Sequence, residues 1–199
     1  MSYSQFSLET IETTFDITIQ ESVGIFADTP PVEYSSFLAQ TLKKYIPLAL
    51  AIGTEKSRSE LILTPILVEL KEIFQNKISL FSGREFNVSP EKGLTGFCDY
   101  IISQSPEQII IKAPVMALVE AKNDNIQSGL GQCIAEMIAA QLFNQQKGNE
   151  IDTIYGSVTT GTNWKFIRLT GKIIEIDLNE YFLNDVGKIL GILSSFIKL

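Results

Sequence analysis

The spacing of apolar positions changes along the chain, and the changes divide it into elements. Residues 8–20 alternate in part and are rich in Thr and Ile, which predicts an N-terminal strand or hairpin arm. Thr29-Pro30-Pro31 breaks that pattern, and Pro31 can open a helix over residues 32–45 because its ring presets the first-turn geometry. Pro47 and Gly53 punctuate the stretch after it. Over residues 54–76, Leu61, Ile62, Pro65, Ile66, Val68, Leu70 and Ile73 form the apolar side of one long amphipathic helix. Thr54 is its expected N-cap and Pro65 its expected kink. Three strands are predicted next, at 78–88, 94–103 and 113–121, and the third is apolar enough to be covered on both faces. A helix over 129–146 comes after them, with Ile134, Met137, Ile138, Gln141 and Leu142 at helical spacing. Residues 154–159 and 164–170 read as a strand pair around Thr160-Gly161-Thr162-Asn163, and 173–176 as a further short strand. Residues 181–199 read as a C-terminal amphipathic helix. Helices and strands in this order predict an α/β fold, a mixed sheet flanked by helices.

At 199 residues the chain suits one domain over 1–199, with a strand/helix extension at 1–53 and a terminal helical region at 179–199. Apolar residues make up 45% and charged residues 20%, the balance of an ordinary globular chain. No apolar run is long enough to span a bilayer, and the first residues lack the basic-then-apolar pattern of a signal peptide. Cys98 and Cys133 sit among apolar neighbours and read as buried free thiols, consistent with a reducing, cytoplasmic setting. The net charge of −7 is unfavourable for avid binding of a polyanion, so any nucleic-acid contact is expected to be weak and salt-sensitive. The chain has no histidine, which removes Ser-His-Asp and Cys-His catalysis and His-based zinc sites together. A metal would be held by oxygen atoms, which favours hard cations such as Mg²⁺ or Mn²⁺.

The chemistry concentrates in Gly96-Phe97-Cys98-Asp99-Tyr100 and Val119-Glu120-Ala121-Lys122. Alternation along a strand puts Glu120 and Lys122 on one face, and a hairpin would set Asp99 opposite them. Two carboxylates and the Ala121 carbonyl can then hold a cation beside an ammonium. Phosphodiester hydrolysis calls for that combination, because the cation lowers the pKa of bound water and offsets developing negative charge. The lysine can orient the water and stabilise charge.

A strand Asp, a Glu-Ala-Lys closing an apolar strand and a helix just after it resemble the PD-(D/E)XK, restriction-endonuclease-like nucleases. The resemblance covers residues 54–170 and implies a restriction-endonuclease-like core in αβββαβ order. It implies catalytic roles for Asp99, Glu120 and Lys122, a further acidic ligand in Glu60 on the upstream helix, and a supporting amide in Gln132. By the same resemblance the cofactor is Mg²⁺ or Mn²⁺, the metal ligands are Glu60, Asp99, Glu120 and the Ala121 carbonyl, and the expected substrate is DNA. Cys98 stands where the family's name has Pro, and Glu136 where relatives with a Gln-x-x-x-Tyr helix have Tyr.

Each residue also has a bland reading. Glu120 and Lys122 can be an edge ion pair, Glu60 a solvated helix residue, and Gln132 a packing or capping residue. Glu136 is expected to face solvent or pair with a cation, and Asp124-Asn125 to make a turn. Trp164 and Phe166 suit a hairpin core better than base stacking, and Lys165 and Arg168 are available as phosphate contacts. Two alternatives to a nuclease stand beside it. One is a non-catalytic binding module on the same fold. The other is a subunit of a dimer or larger complex, suggested by Leu190, Ile192, Leu193, Phe196 and Ile197 on the last helix.

Overall fold

The apolar run ending at Glu120 forms a central strand, and the remaining elements are arranged around it. The structure is a computed structural model and describes residues 1–75, 77–149 and 151–197. Its strands are β1 (Thr18–Ser22), β2 (Ser79–Glu85), β3 (Phe97–Ser103), β4 (Val115–Ala121), β5 (Thr153–Thr159), β6 (Asn163–Thr170), β7 (Ile173–Asp177) and β8 (Tyr181–Phe182). They make one mixed eight-stranded sheet in the order β1-β7-β6-β5-β4-β3-β2, with β8 paired to β6. β4 runs parallel to β5 and β1 parallel to β7, while the other neighbours are antiparallel.

Every residue of β4 is buried, because helices cover both faces of the sheet. On one face α5 (Gln127–Gln146) is the crossover that makes β4 and β5 parallel, and α1 (Leu8–Phe15) packs beside it. Cys98, Leu118, Cys133, Ile134, Met137 and Val158 are part of that core. On the other face lie α2 (Ser36–Ile52), α4 (Thr64–Ile73) and α6 (Val186–Ser195), around Leu42, Ile66, Leu67, Val119, Trp164 and Leu190. The short α3 (Glu55–Arg58) joins α2 to α4 and begins at Thr54, whose side chain accepts the Ser57 N–H as expected of an N-cap.

Several elements depart from the pattern. Residues 8–20 are not a hairpin arm. Ser7 accepts the Thr10 N–H and starts α1, which buries Ile11 and packs Leu8 and Phe15 on the α5 side, and only then does β1 begin. The 32–45 helix starts later, at Ser36 with Ser35 as its cap, and runs past an exposed Pro47 to Gly53, whose φ of 70° ends it.

The long helix expected over 54–76 runs without interruption from Glu55 to Ile73, but it carries a π-helical turn. The turn, at Ser59–Leu63, lies between α3 and α4, and Asn76 lies outside the described residues. Pro65 has no N–H to offer, and Thr64 reaches back five residues with its N–H and its hydroxyl (3.1 Å) to the Ser59 carbonyl. Tyr100 of β3 donates its hydroxyl to the same carbonyl at 3.0 Å, so the widened turn is tied to the strand that carries Asp99.

The C-terminal region opens as β8, not as helix, and α6 is the shorter piece from Val186 to Ser195; Lys198 and Leu199 lie outside the described residues. Leu190, Ile192, Leu193, Phe196 and Ile197 are all buried within this one chain. Among the described residues they leave no surplus apolar face, which removes the reason they offered for a homodimer or larger complex. Among the described residues no helix is long and apolar enough to cross a membrane.

Candidate active site

The register of β3 and β4 positions the first two carboxylates. The ladder between them begins at Tyr100↔Val119, which sets Asp99 across from Glu120. Here β3 leaves the ladder, and Asp99 takes over with its side chain: Oδ2 accepts the Ala121 N–H at 2.8 Å. Alternation along β4 brings Glu120 and Lys122 together, with Lys122 Nζ 2.5 Å from Glu120 Oε1. The helix after β4 adds the next contacts. Gln132 Oε1 lies 3.4 Å from Lys122 Nζ, and Gln132 Nε2 donates to Glu136 Oε1 at 3.1 Å. A polar chain Glu120–Lys122–Gln132–Glu136 therefore runs from the sheet into the α5 core. Asp99, Glu120, Lys122 and Gln132, far apart in sequence, meet at one place.

Burial dominates the electrostatics. Glu120 is 1% exposed and Glu136 fully buried, and one oxygen of each, Oε2, has no hydrogen-bond partner among the described residues. Desolvation, then the charge of Asp99, pushes the Glu120 carboxyl from 4.5 up to about 8, against the pull of Lys122. Burial, then the charge of Glu120, pushes the Glu136 carboxyl well above its ordinary value and favours its neutral form. For Lys122 burial works to lower the ammonium's pKa, but the Glu120 charge and hydrogen bond outweigh it and the net shift is upward.

Glu60 stands apart from this cluster. It lines an open cleft of about 290 Å³ together with Asp99, Ala121 and Ser59. Its carboxylate is 62% exposed and pairs with Lys56 at 3.7 Å, an i,i+4 surface contact. Glu55 lines the same cleft, and its charge acts on both Glu120 and Lys122. Sequence reasoning passed over Glu55, although its place in the first turn after the Thr54 cap was a signal. Ala121 also lines the cleft, and its N–H is the group in contact with Asp99. Among the described residues no three Asp, Glu or Cys side chains converge as a ready-made cation cage.

Other expectations meet mixed outcomes. Glu136 neither faces solvent nor pairs with a cation; it is buried and takes its hydrogen bond from Gln132 one turn earlier. Cys133, Ala139 and Ala140, three and four residues away on the same face and all buried, carried the signal that this face of the helix is inside. Trp164 and Phe166 are core residues. Lys165 is buried and donates to the carbonyls of Asp177 (3.0 Å) and Leu178 (3.2 Å), and Arg168 pairs with Glu175 at 2.7 Å. Neither cation is free for a phosphate. Asn125 makes the expected turn, accepting the Gln127 N–H at 3.0 Å. Cys98 and Cys133 are free and buried, and desolvation drives both thiols up, away from reactivity.

No family model matches the chain, and no curated protein matches it.

Proposed function

We propose that this protein is a Mg²⁺- or Mn²⁺-dependent nuclease of the PD-(D/E)XK, restriction-endonuclease-like kind, hydrolysing phosphodiester bonds in DNA. One observation carries the reading: Glu120 is 1% exposed, has one oxygen on Lys122 and the other unpartnered, and lies across from Asp99. A carboxylate in that setting is held at a steep desolvation penalty, which a structural edge pair has no reason to incur. The succession α4-β2-β3-β4-α5-β5 supports the same reading, since it has the order that the family resemblance implies.

The donor set fits a hard divalent cation. Glu120 Oε2 is an orphaned buried oxygen, and Asp99 stands across the strand from it, a hard oxygen donor pair. Asp99, Glu120 and the Ala121 carbonyl would hold the cation, with Glu55 or Glu60 approaching from the cleft wall. When bound, it would supply a hydroxide near neutral pH and offset charge on the phosphoryl oxygens. Lys122 places an ammonium at the same edge, where it orients the attacking water and faces the charge that develops. Gln132 accepts from that ammonium, and Glu136 fixes which end of the Gln132 amide faces it. The test is nicking or shortening of DNA with Mn²⁺, compared with Lys122→Ala and Asp99→Ala. Each variant is expected to lose at least about 10²-fold in rate. Equal turnover in all three proteins refutes the proposal.

A second reading, a non-catalytic binding module on the same fold, is favoured by the lack of three converging acidic side chains among the described residues and by the net charge of −7. It predicts no turnover and no tight Mn²⁺ binding dependent on Asp99 and Glu120, which calorimetry measures directly.

A further inference from the structure

One wall of the acidic cleft is built on an irregular turn. Glu55, Ser59 and Thr64 line the cleft from the helical side, and Asp99 and Ala121 line it from the sheet. The steps between the three helical residues are four and then five. Four residues make one α turn. Five fit a single turn because Ser59–Leu63 is wound as a π-helix, with the Thr64 N–H bonded to the Ser59 carbonyl. In regular α winding the residue stacked over Ser59 would be Leu63. The π turn buries Leu63 and puts Thr64 in that row instead. The polar wall therefore exists only while the wide turn does.

Tyr100 supports the turn. Its hydroxyl donates to the Ser59 carbonyl at 3.0 Å, and its oxygen lies 2.6 Å from Ser59 Oγ and 2.9 Å from Thr64 Oγ1. Both ends of the turn are thus pinned to one buried side chain. Tyr100 is the residue after Asp99 and opens the β3–β4 ladder, so the pin ties the turn to the strand that places the Asp99 carboxylate. On the far side α4 is anchored by buried Ile66, Leu67 and Leu70, whereas the four residues of α3 bury only Ser57. If the turn rewound as regular helix, α3 would be the part to move. Taking up the extra residue means a rotation of about 100°, enough to swing Glu55 off the wall.

We propose that Tyr100 is a positioning residue: through the Ser59 carbonyl its hydroxyl holds the π turn, and the turn holds Glu55 on the cleft wall with Asp99. That the cleft takes a divalent cation rests on the nuclease reading; the dependence of the turn on Tyr100 does not. Tyr100→Phe keeps the ring and removes the hydroxyl. Its crystal structure should show the Thr64 N–H returned to the Glu60 carbonyl and Glu55 turned away from Asp99. Its Mn²⁺ affinity by calorimetry should fall about 10- to 100-fold, the usual effect of removing a group that orients metal ligands. Tyr181→Phe is the control: it deletes another buried hydroxyl, the donor to Asp177 at 2.9 Å, outside the cleft lining, and should bind Mn²⁺ as wild type does. A Tyr100→Phe protein that keeps the π turn, or that binds Mn²⁺ with wild-type affinity, overturns the proposal, as does an equal loss in the control. If circular dichroism shows Tyr100→Phe unfolded, Thr64→Val, which removes the second hydroxyl from the same carbonyl at 3.1 Å, takes its place with the same outcomes. Wild type that binds no Mn²⁺ refutes the nuclease reading, and the crystal structure of the variant then decides the proposal alone. Mn²⁺-dependent hydrolysis of DNA that is undiminished in Tyr100→Phe leaves the nuclease reading and sinks the role of Tyr100.

Discussion

Replacing Glu120 by Gln should stabilise the cation-free protein at pH 8 while changing little at pH 5. In the folded chain the carboxyl titrates at about 8, against an ordinary value of 4.5, chiefly because it is buried and then because Asp99 faces it. Across that window the folded state keeps a proton that the unfolded state has released. Stability must therefore fall as pH rises from about 4.5 to about 8. One pKa unit is worth about 1.4 kcal/mol, so the loss between pH 5 and pH 8 is about 3 kcal/mol. Gln copies the neutral acid and keeps an oxygen for Lys122 Nζ, so Glu120→Gln avoids the loss. Urea denaturation in EDTA at pH 5, 6, 7 and 8 measures it. The variant's advantage should grow from near zero to about 3 kcal/mol across the series. Glu136 adds a slope of the same sign, but it is present in both proteins, so the difference reports mainly Glu120. Mn²⁺ at pH 8 should stabilise wild type and leave the variant almost unchanged. A difference that does not vary with pH refutes the argument that burial governs this carboxyl.

Three further outcomes are expected. Gly129→Ala would place a Cβ 2.7 Å from Val158 Cγ1 and 2.9 Å from Lys122 Cε, so the Lys122 stem must move; DNA hydrolysis should fall at least about tenfold with the fold retained, and wild-type activity would contradict the assigned role of Lys122. Asp177→Ala takes the acceptor from Gly24 N–H and Asn179 N–H, which are part-buried, and from Phe26 N–H and the Tyr181 hydroxyl, which are buried; the melting temperature should drop by the equivalent of about 3 kcal/mol without change in Mn²⁺ affinity by calorimetry. Glu136→Gln in the Glu120→Gln background should flatten the pH slope that remains, because Glu136 is the other buried acid of the cluster; a persisting slope in urea denaturation would point to a different titrating group.

The site was legible in the sequence wherever a local rule applied. Strand alternation put Glu120 and Lys122 on one side, and the 2.5 Å contact is its consequence. A hairpin between neighbouring strands was enough to bring Asp99 across from Glu120. Glu60 was harder, because a helical Glu is the same in sequence whether it faces solvent or a site, and the fold gives it both an i,i+4 contact with Lys56 and a place on the cleft wall beside Asp99. Glu136 was misjudged for a related reason. Charge alone argued for solvent, while the cost of burying it is offset by the Gln132 amide and by protonation, neither of which is a property of the residue type. Lys165 and Arg168 were offered as phosphate contacts, but carbonyls at Asp177 and Leu178 and the carboxylate of Glu175, all across a strand pair, take them.

The amino-acid order by itself determined most of the strands and helices, that β4 is a central strand, and which residues of β4 share a face. These come from side-chain periodicity, readable along the chain one residue at a time. Tertiary structure decided the parallel pairing of β1 with β7, the covering of α6 within the chain, the exposed place of Glu60 on the cleft wall and the upward shift of Glu120. Those depend on which groups far apart along the chain exclude water from one another, and desolvation is a property of the packed neighbourhood rather than of any residue within it.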